Sequence, residues 1–257
     1  MSRLHIFAKP LPALAVLAGQ VLWAGHRRDL PTLSNQDPSG TFGDRQSPRL
    51  RIVVIGDSSV TAPGVEPLDA AWPRRMAEHL ADSYRVELCS VAVGGSKARD
   101  VLASQVHEAI ALQPEIAIVS VGANDALRTT PVAQFEREYD QIIGLLADHV
   151  PGIAVSGIGD LGSIPRLPAL ARSIVRIRGR SFDHAVRRVT SRYPGVLKTD
   201  TWAPGWDEFL TNPDAIFAAD LFHASAYGHR VYTAAIMPAI DELVARRSRG
   251  VESGTGQ

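Results

Sequence analysis

Four short polar segments carry the residue types that acyl-transfer chemistry requires. Such a reaction needs a serine hydroxyl, a histidine to take its proton, and a carboxylate that orients the histidine. It also needs fixed N–H donors for the negative charge that develops on the former carbonyl oxygen. The segments are residues 56–59 (Gly-Asp-Ser-Ser), 93–96 (Val-Gly-Gly-Ser), 122–125 (Gly-Ala-Asn-Asp) and 220–223 (Asp-Leu-Phe-His).

Each segment can supply one part of this machinery. Ser58 offers a hydroxyl, and Asp220 is close enough to His223 for its carboxylate to accept a hydrogen bond from one ring nitrogen. Gly95 can offer a backbone N–H because no side chain blocks the approach, and Asn124 can offer its side-chain amide. Together the segments predict a nucleophilic serine with a base and oxyanion donors.

Taken singly, each segment also has a purely structural interpretation. Gly-Asp-Ser and Gly-Gly are common in turns at strand ends, and an asparagine such as Asn124 tolerates a left-handed backbone. Asp220 and His223 also fit a helix N-terminal cluster, where the helix dipole favours an aspartate. The conjunction of the four segments in one chain favours the enzyme interpretation.

The elements around these segments alternate between strands and helices. Short runs rich in β-branched residues predict strands at residues 51–55, 85–91, 116–121, 153–158 and 196–199. Runs with an apolar face or helical composition predict helices at residues 72–81, 98–112, 132–149, 170–192 and 225–247. This alternation predicts a parallel, doubly wound α/β sheet whose ligands bind at the carboxyl ends of the strands. All four polar segments are therefore expected at one edge of the sheet.

The order and content of the segments resemble those of the SGNH (GDSL) hydrolases, a family of esterases and lipases. The matching residues are Ser58 in Ile-Gly-Asp-Ser-Ser, Gly95 in Ala-Val-Gly-Gly-Ser, Asn124 in Gly-Ala-Asn-Asp and His223 in Asp-Leu-Phe-His. The resemblance covers about residues 50–245. Ser59 and Ala224 replace a leucine and a proline of the family pattern, but neither position supplies a catalytic atom.

This resemblance implies a flavodoxin-like, three-layer α/β fold with a parallel sheet of about five strands and helices on both faces. It implies Ser58 as the nucleophile, His223 as the base, and Asp220 as the residue that orients the histidine. The oxyanion hole would consist of the backbone N–H groups of Ser58 and Gly95 and the side chain of Asn124. No metal or other cofactor is implied, and the remaining histidines lack metal-ligand spacing.

Aromatic residues crowd the stretch before Asp220 and are candidates for substrate binding. Loop aromatics more often pack against their own domain than contact a ligand. We expect packing for most of them and at least one near the substrate, with Trp202 and Trp206 as the candidates.

Composition and charge exclude several other classes of protein. Apolar residues make up 45% of the chain and charged residues 21%, which is typical of a globular protein with a full core. Lys plus Arg and Asp plus Glu both total 27, so the chain has no net charge to attract a nucleic acid. The single cysteine, Cys89, excludes an internal disulfide and a multi-cysteine zinc site.

The chain divides into four predicted parts. Residues 1–28 contain an apolar run that is shorter than a typical membrane-spanning helix. We interpret this run as a packed or interfacial helix, an anchor, or a secretory signal. Residues 29–49 are predicted to be a linker, residues 50–247 the hydrolase domain, and residues 248–257 a disordered tail. Residues 10–25 could attach the protein to a membrane surface, and a cytoplasmic or membrane-associated location is favoured over secretion.

Three functional hypotheses follow. The first is a serine esterase that hydrolyses a carboxylic ester of a small molecule, lipid or carbohydrate through an acyl-enzyme on Ser58. The second is an acyltransferase or deacetylase acting on a sugar or lipid hydroxyl, because its chemistry is the same up to the acyl-enzyme. The third is a non-catalytic binding module on the same fold, which is disfavoured because no catalytic residue type is missing.

Overall fold

The computed structural model describes residues 29–128, 130–202 and 207–254, which build a six-stranded sheet covered by helices on both faces. The strands are β1 (Gly40–Phe42), β2 (Arg49–Gly56), β3 (Arg85–Ser90), β4 (Ile116–Ser120), β5 (Gly152–Val155) and β6 (Val196–Lys198). The α-helices are α1 (Ser58–Thr61), α2 (Trp72–Leu80), α3 (Ala98–Asp100), α4 (Val106–Ala111), α5 (Ala123–Leu127), α6 (Val132–Ala147), α7 (Ala169–Thr190), α8 (Glu208–Thr211), α9 (Pro213–Ile216) and α10 (Ala226–Gly254).

The strands follow the order β1-β3-β2-β4-β5-β6, in which β2 to β6 run parallel. The α/β class and the five parallel strands confirm the prediction. Strand β1 was not predicted, because its three residues lie in the stretch predicted as a linker and are too few to show alternation. It pairs antiparallel with β3, with Gly40 opposite Leu88. The predicted linker therefore contributes an edge strand to the sheet.

The strands form two separate cores, one on each face of the sheet, because successive side chains of a strand point to opposite faces. In β2, Val53 and Ile55 face the core beneath α6 and α7, whereas Ile52 and Val54 face the core beneath α2 and α10. All four side chains are fully buried. Burial of an aliphatic side chain contributes roughly 1.5–3 kcal/mol, so these cores hold the strand ends in place.

The predicted helix over residues 98–112 is interrupted by a π-helical segment, Val101–Gln105. The buried Gln105 side chain accepts the Gly56 N–H at 2.8 Å through Oε1. Its Nε2 donates to the Gly56 carbonyl at 3.0 Å and to the Ser96 hydroxyl at 3.1 Å. Such bulges are frequent next to functional sites, and this one ties together the ends of β2 and β3.

Helix α10 continues to Gly254, beyond the predicted end of the domain at residue 247. The Ser248 hydroxyl donates to the Val244 carbonyl and lies 3.2 Å from the Tyr84 hydroxyl, so the start of the predicted tail packs on the domain. Residues 1–28 and 255–257 lie outside the described residues, and the predictions for them, including membrane association, stay predictions. No helix within the described ranges is long and apolar enough to cross a membrane.

Candidate active site

The four polar segments lie at one edge of the sheet. Ser58 follows β2, Gly95 follows β3 and Asn124 follows β4, while Asp220 and His223 directly precede α10. The carboxyl ends of neighbouring parallel strands meet at a single edge. The side chains of Ser58, Asn124 and His223 accordingly line one cavity of about 470 Å³.

Ser58 is the first residue of α1, directly after β2 ends. Asp57 caps this short helix, because its Oδ1 accepts the Ser59 N–H at 2.9 Å. The N–H of Ser58 has no acceptor among the described residues, as is usual in the first turn of a helix. The Ser58 side chain faces the cavity and makes no hydrogen bond within the described part of the chain. Its hydroxyl is therefore accessible to a ligand.

Gly56 allows the chain to turn from β2 into Ser58. Its φ of 151° disfavours any side chain, and a Cβ atom there would overlap the carbonyl oxygen of Ser120. We predict that Gly56→Ala lowers the free energy of unfolding by about 2–4 kcal/mol, measured by urea denaturation. Gly195→Ala is the matched control, since a Cβ at Gly195 meets nothing within 4 Å. Equal stability of the Gly56 variant and the wild type would contradict this role.

A carboxylate–imidazole pair lies at the entrance of α10. Nδ1 of His223 is 2.6 Å from Oδ2 of Asp220, and Oδ1 of Asp220 accepts the N–H groups of Phe222 and His223, both at 3.0 Å. Burial raises the pKa of Asp220, but hydrogen bonds from the His223 side chain and from the two N–H groups outweigh burial and lower the pKa. The ionised carboxylate holds a proton on Nδ1, which leaves Nε2 of His223 as a base.

Ser58 and His223 share this cavity, and no hydrogen bond joins them in the described residues. Asp220 lies behind the imidazole and is only 3% exposed, whereas His223 is partly open to the cavity. Catalytic hydrogen bonds are often long before a substrate binds and tighten in the complex. The Ser58 hydroxyl and the His223 imidazole thus face the same space, in which a substrate can bind.

The two other oxyanion-hole candidates are placed differently. The buried amide of Asn124 lines the cavity and donates to Oδ2 of Asp57 at 3.3 Å and to the Ser96 carbonyl at 3.2 Å. Both bonds are long, so an oxyanion can replace one of them. Gly95 does not belong to the described cavity lining, but its φ is 82° and its N–H has no acceptor among the described residues.

The Asp57 carboxylate connects the serine to the asparagine. It is 2% exposed and accepts hydrogen bonds from the Ser59 N–H and from the Asn124 amide. Burial raises the pKa of Asp57, while the hydrogen bonds from Ser59 and Asn124 and the charge of His223 oppose the rise. Asp57 therefore positions both α1 and the Asn124 amide.

Aromatic side chains form part of the cavity wall. The candidate Trp202 lines it, with the indole N–H donating to the Ile158 carbonyl at 3.0 Å and Arg180 lying 5.0 Å from the ring centre. Phe209 and Phe217 also line the cavity and pack edge-to-face at 5.9 Å. The other candidate, Trp206, lies outside the described residues.

An inner part of the cavity is lined by residues that the sequence did not single out for binding. They lie between the sheet and helices α2 and α10, and they include Trp72, Ser120, His229, Tyr232 and Ile236. His229 is 1% exposed, and its Nδ1 accepts the Trp72 N–H at 3.2 Å. His229, Tyr232 and Ile236 are spaced three and four residues apart, so they lie on one face of α10. A helix that only packs on a core shows the same spacing, so the sequence could not reveal the cavity.

Solved structures with the same fold include three that align over nearly their whole length. LAE5, an α/β hydrolase enzyme from the metagenome of Lake Arreo, Spain, is 22% identical, with a TM-score of 0.62 over 77% of this chain and 97% of that chain. A catalytic mutant of Axe2, an acetylxylan esterase from Geobacillus stearothermophilus, is 18% identical, with a TM-score of 0.63 over 77% and 96%. TesA is 18% identical, with a TM-score of 0.61 over 75% and 99%. At these identities the likeness establishes the fold. No curated protein sequence gives a significant match.

A sheet edge that gathers a serine, a carboxylate-paired histidine and free N–H donors is the arrangement of a serine hydrolase. The model of the GDSL-like lipase/acylhydrolase family matches residues 54–231, and the chain belongs to this family. It is a serine hydrolase that acts on ester bonds. The resemblance drawn from the four polar segments is thus confirmed.

Proposed function

We propose that the enzyme hydrolyses a carboxylic ester through an acyl-enzyme on Ser58. The observation that carries this proposal is the shared cavity, in which the Ser58 hydroxyl faces the same space as the His223 imidazole, itself held by Asp220 at 2.6 Å. Nε2 of His223 takes the Ser58 proton while the serine oxygen bonds to the acyl carbon. The alcohol then leaves with that proton.

The second half of the reaction uses the same groups. Water attacks the acyl carbon and gives a proton to Nε2 of His223, which returns it to the Ser58 oxygen as the carboxylic acid departs. During both halves the N–H groups of Ser58 and Gly95 and the amide of Asn124 stabilise the oxyanion. The absence of an acceptor for either N–H among the described residues supports this role, because each can bond the oxyanion without breaking another bond.

The size and lining of the cavity favour an acyl group longer than acetyl. An acetyl group would fill a small part of about 470 Å³. The lining residues of α10 extend from His229 to Ile236, which is about 10 Å of helix at 1.5 Å per residue. Apolar side chains dominate the remaining wall: Val121, Leu127, Ile158, Leu161, Ile164 and Phe217.

A series of p-nitrophenyl esters from acetate to decanoate tests this proposal. We expect kcat/KM to rise at least about tenfold between acetate and hexanoate, because each buried methylene contributes about 0.8 kcal/mol. A fluorophosphonate probe should label Ser58 and abolish the activity in the same samples. If the acetate ester has the highest kcat/KM of the series, the acyl-length proposal is overturned. If the enzyme is active and the probe does not label Ser58, the mechanism is overturned. The acyltransferase, deacetylase and binding-module hypotheses are not favoured by membership of this family.

A further inference from the structure

The inner part of the cavity contains hydrogen-bonding groups that the hydrolytic steps do not use. We infer that His229, with the hydroxyls of Ser59 and Ser120, forms an inner subsite that binds an uncharged oxygen of the acyl group, such as a keto or hydroxyl oxygen. The inference rests on the proposed esterase function, because it names the substrate class of the same site. Three observations support it: which ring nitrogen of His229 carries the proton, the contact between the Ser59 and Ser120 hydroxyls, and the charged residues around the cavity.

The surroundings of His229 fix which ring nitrogen carries the proton. The backbone N–H of Trp72 can only donate, so Nδ1, 3.2 Å away, must be the unprotonated nitrogen. Nε2 then carries the hydrogen, and it has no acceptor among the described residues. His229 lines the cavity although it is only 1% exposed. Nε2 can therefore donate to a ligand or to a water molecule in the cavity.

The ring also stays neutral in the range where the enzyme is expected to work. Burial, together with the nearby charges of Arg75 and His223, lowers the pKa of His229 to about 3. His229 therefore acts as a fixed neutral donor.

Two serine hydroxyls lie on the same side of the cavity. The oxygen atoms of Ser59 and Ser120 are 2.7 Å apart, so one hydroxyl donates to the other. Trp72 connects this pair to His229, because its indole N–H donates to the Ser59 carbonyl at 2.8 Å while its backbone N–H donates to the imidazole. The subsite is thereby held at a fixed distance from the neighbouring Ser58.

The charges around the cavity select a neutral ligand oxygen over a carboxylate. No lysine or arginine belongs to the described lining. An acyl group that ends in a carboxylate would therefore have no cation among these lining residues to pair with. A keto or hydroxyl oxygen needs only the neutral donors that are present.

The test uses p-nitrophenyl esters in two matched sets. The first set compares pentanoate with 4-oxopentanoate and with hemisuccinate, and the second compares hexanoate with 5-oxohexanoate. We expect kcat/KM of the wild type to be about tenfold higher for a keto ester than for its alkyl analogue, and lowest for the hemisuccinate. His229→Phe should remove the keto preference, whereas His229→Gln should retain part of it, since a glutamine amide can accept from Trp72 and still donate. His184→Phe, at an exposed position of α7, is the matched control and should keep the wild-type ratio.

The outcomes separate this inference from the proposed function. The subsite alone would be overturned if the wild type hydrolyses alkyl esters, Ser58 is labelled, and keto esters are not preferred. It would also be overturned if the keto preference persists in a folded His229→Phe protein. If the wild-type enzyme hydrolyses none of these esters, the proposed function itself would be refuted. If His229→Phe does not fold, a keto preference equal in His229→Leu and the wild type would equally refute the subsite.

Discussion

Replacing Ser58 by alanine is expected to lower kcat/KM for p-nitrophenyl esters by at least about 10⁴-fold, while thermal unfolding stays within a few degrees of the wild type. Without the hydroxyl no acyl-enzyme can form, and only oxyanion stabilisation and substrate binding remain. The Ser58 side chain makes no hydrogen bond within the described residues, so the fold loses nothing when it is shortened.

Ser173→Ala is the matched control, because Ser173 is exposed on α7 and away from the cavity lining. It should hydrolyse esters at the wild-type rate and bind the fluorophosphonate probe. A Ser58→Ala protein that keeps more than about one per cent of the wild-type rate would remove this serine from the mechanism.

Replacing Asp220 by asparagine is expected to lower kcat by about 10³- to 10⁴-fold with little change in KM. The asparagine oxygen can still accept the N–H groups of Phe222 and His223, which Oδ1 of Asp220 now accepts at 3.0 Å. Its amide nitrogen would then face Nδ1 of His223 and donate to it. The imidazole proton would move to Nε2, so the ring could no longer take the proton of Ser58.

Steady-state kinetics with hexanoate ester measure this effect, and Asp214→Asn, on an exposed position of α9, is the control. The substitution should also change stability against pH. The folded pKa of Asp220 is lowered, so its ionised form stabilises the wild type at neutral pH, and this contribution disappears as the pH falls through the folded pKa. The urea midpoints of the two proteins should therefore converge in acid. An unchanged kcat would show that Asp220 does not orient the base.

The sequence predicted the parallel strands because they are covered on both faces and therefore nearly continuous in apolar residues. It predicted the positions of Ser58, Asn124 and His223 because strand ends in such a sheet converge at one edge. Strand β1 escaped prediction since an edge strand of three residues needs little hydrophobicity. The π-helical segment escaped as well, because only the contact of Gln105 with the end of β2 explains it.

His229 shows most clearly what spacing alone could not reveal. Its position on α10 fits a packed helix face, and only the structure shows that one ring nitrogen bonds Trp72 while the other faces the cavity. The same limit applies to Asn124, whose residue type predicts a donor but whose present acceptors, Asp57 and Ser96, come from distant parts of the chain. Contacts of this kind depend on tertiary packing rather than on local pattern.

The proposed nucleophile, Ser58, belongs to the turn after β2, whereas its proposed base, His223, lies at the entrance of α10. Helix α10 is held against the sheet by Ile236, Ile240 and Leu243 of the second core. A nascent chain whose α10 is still inside the ribosome already contains Ser58, Gly56 and Gly95, but His223 cannot yet lie beside them. Esterase activity is therefore expected only once α10 has been synthesised, and local fraying of α10 is expected to abolish the activity before the sheet unfolds.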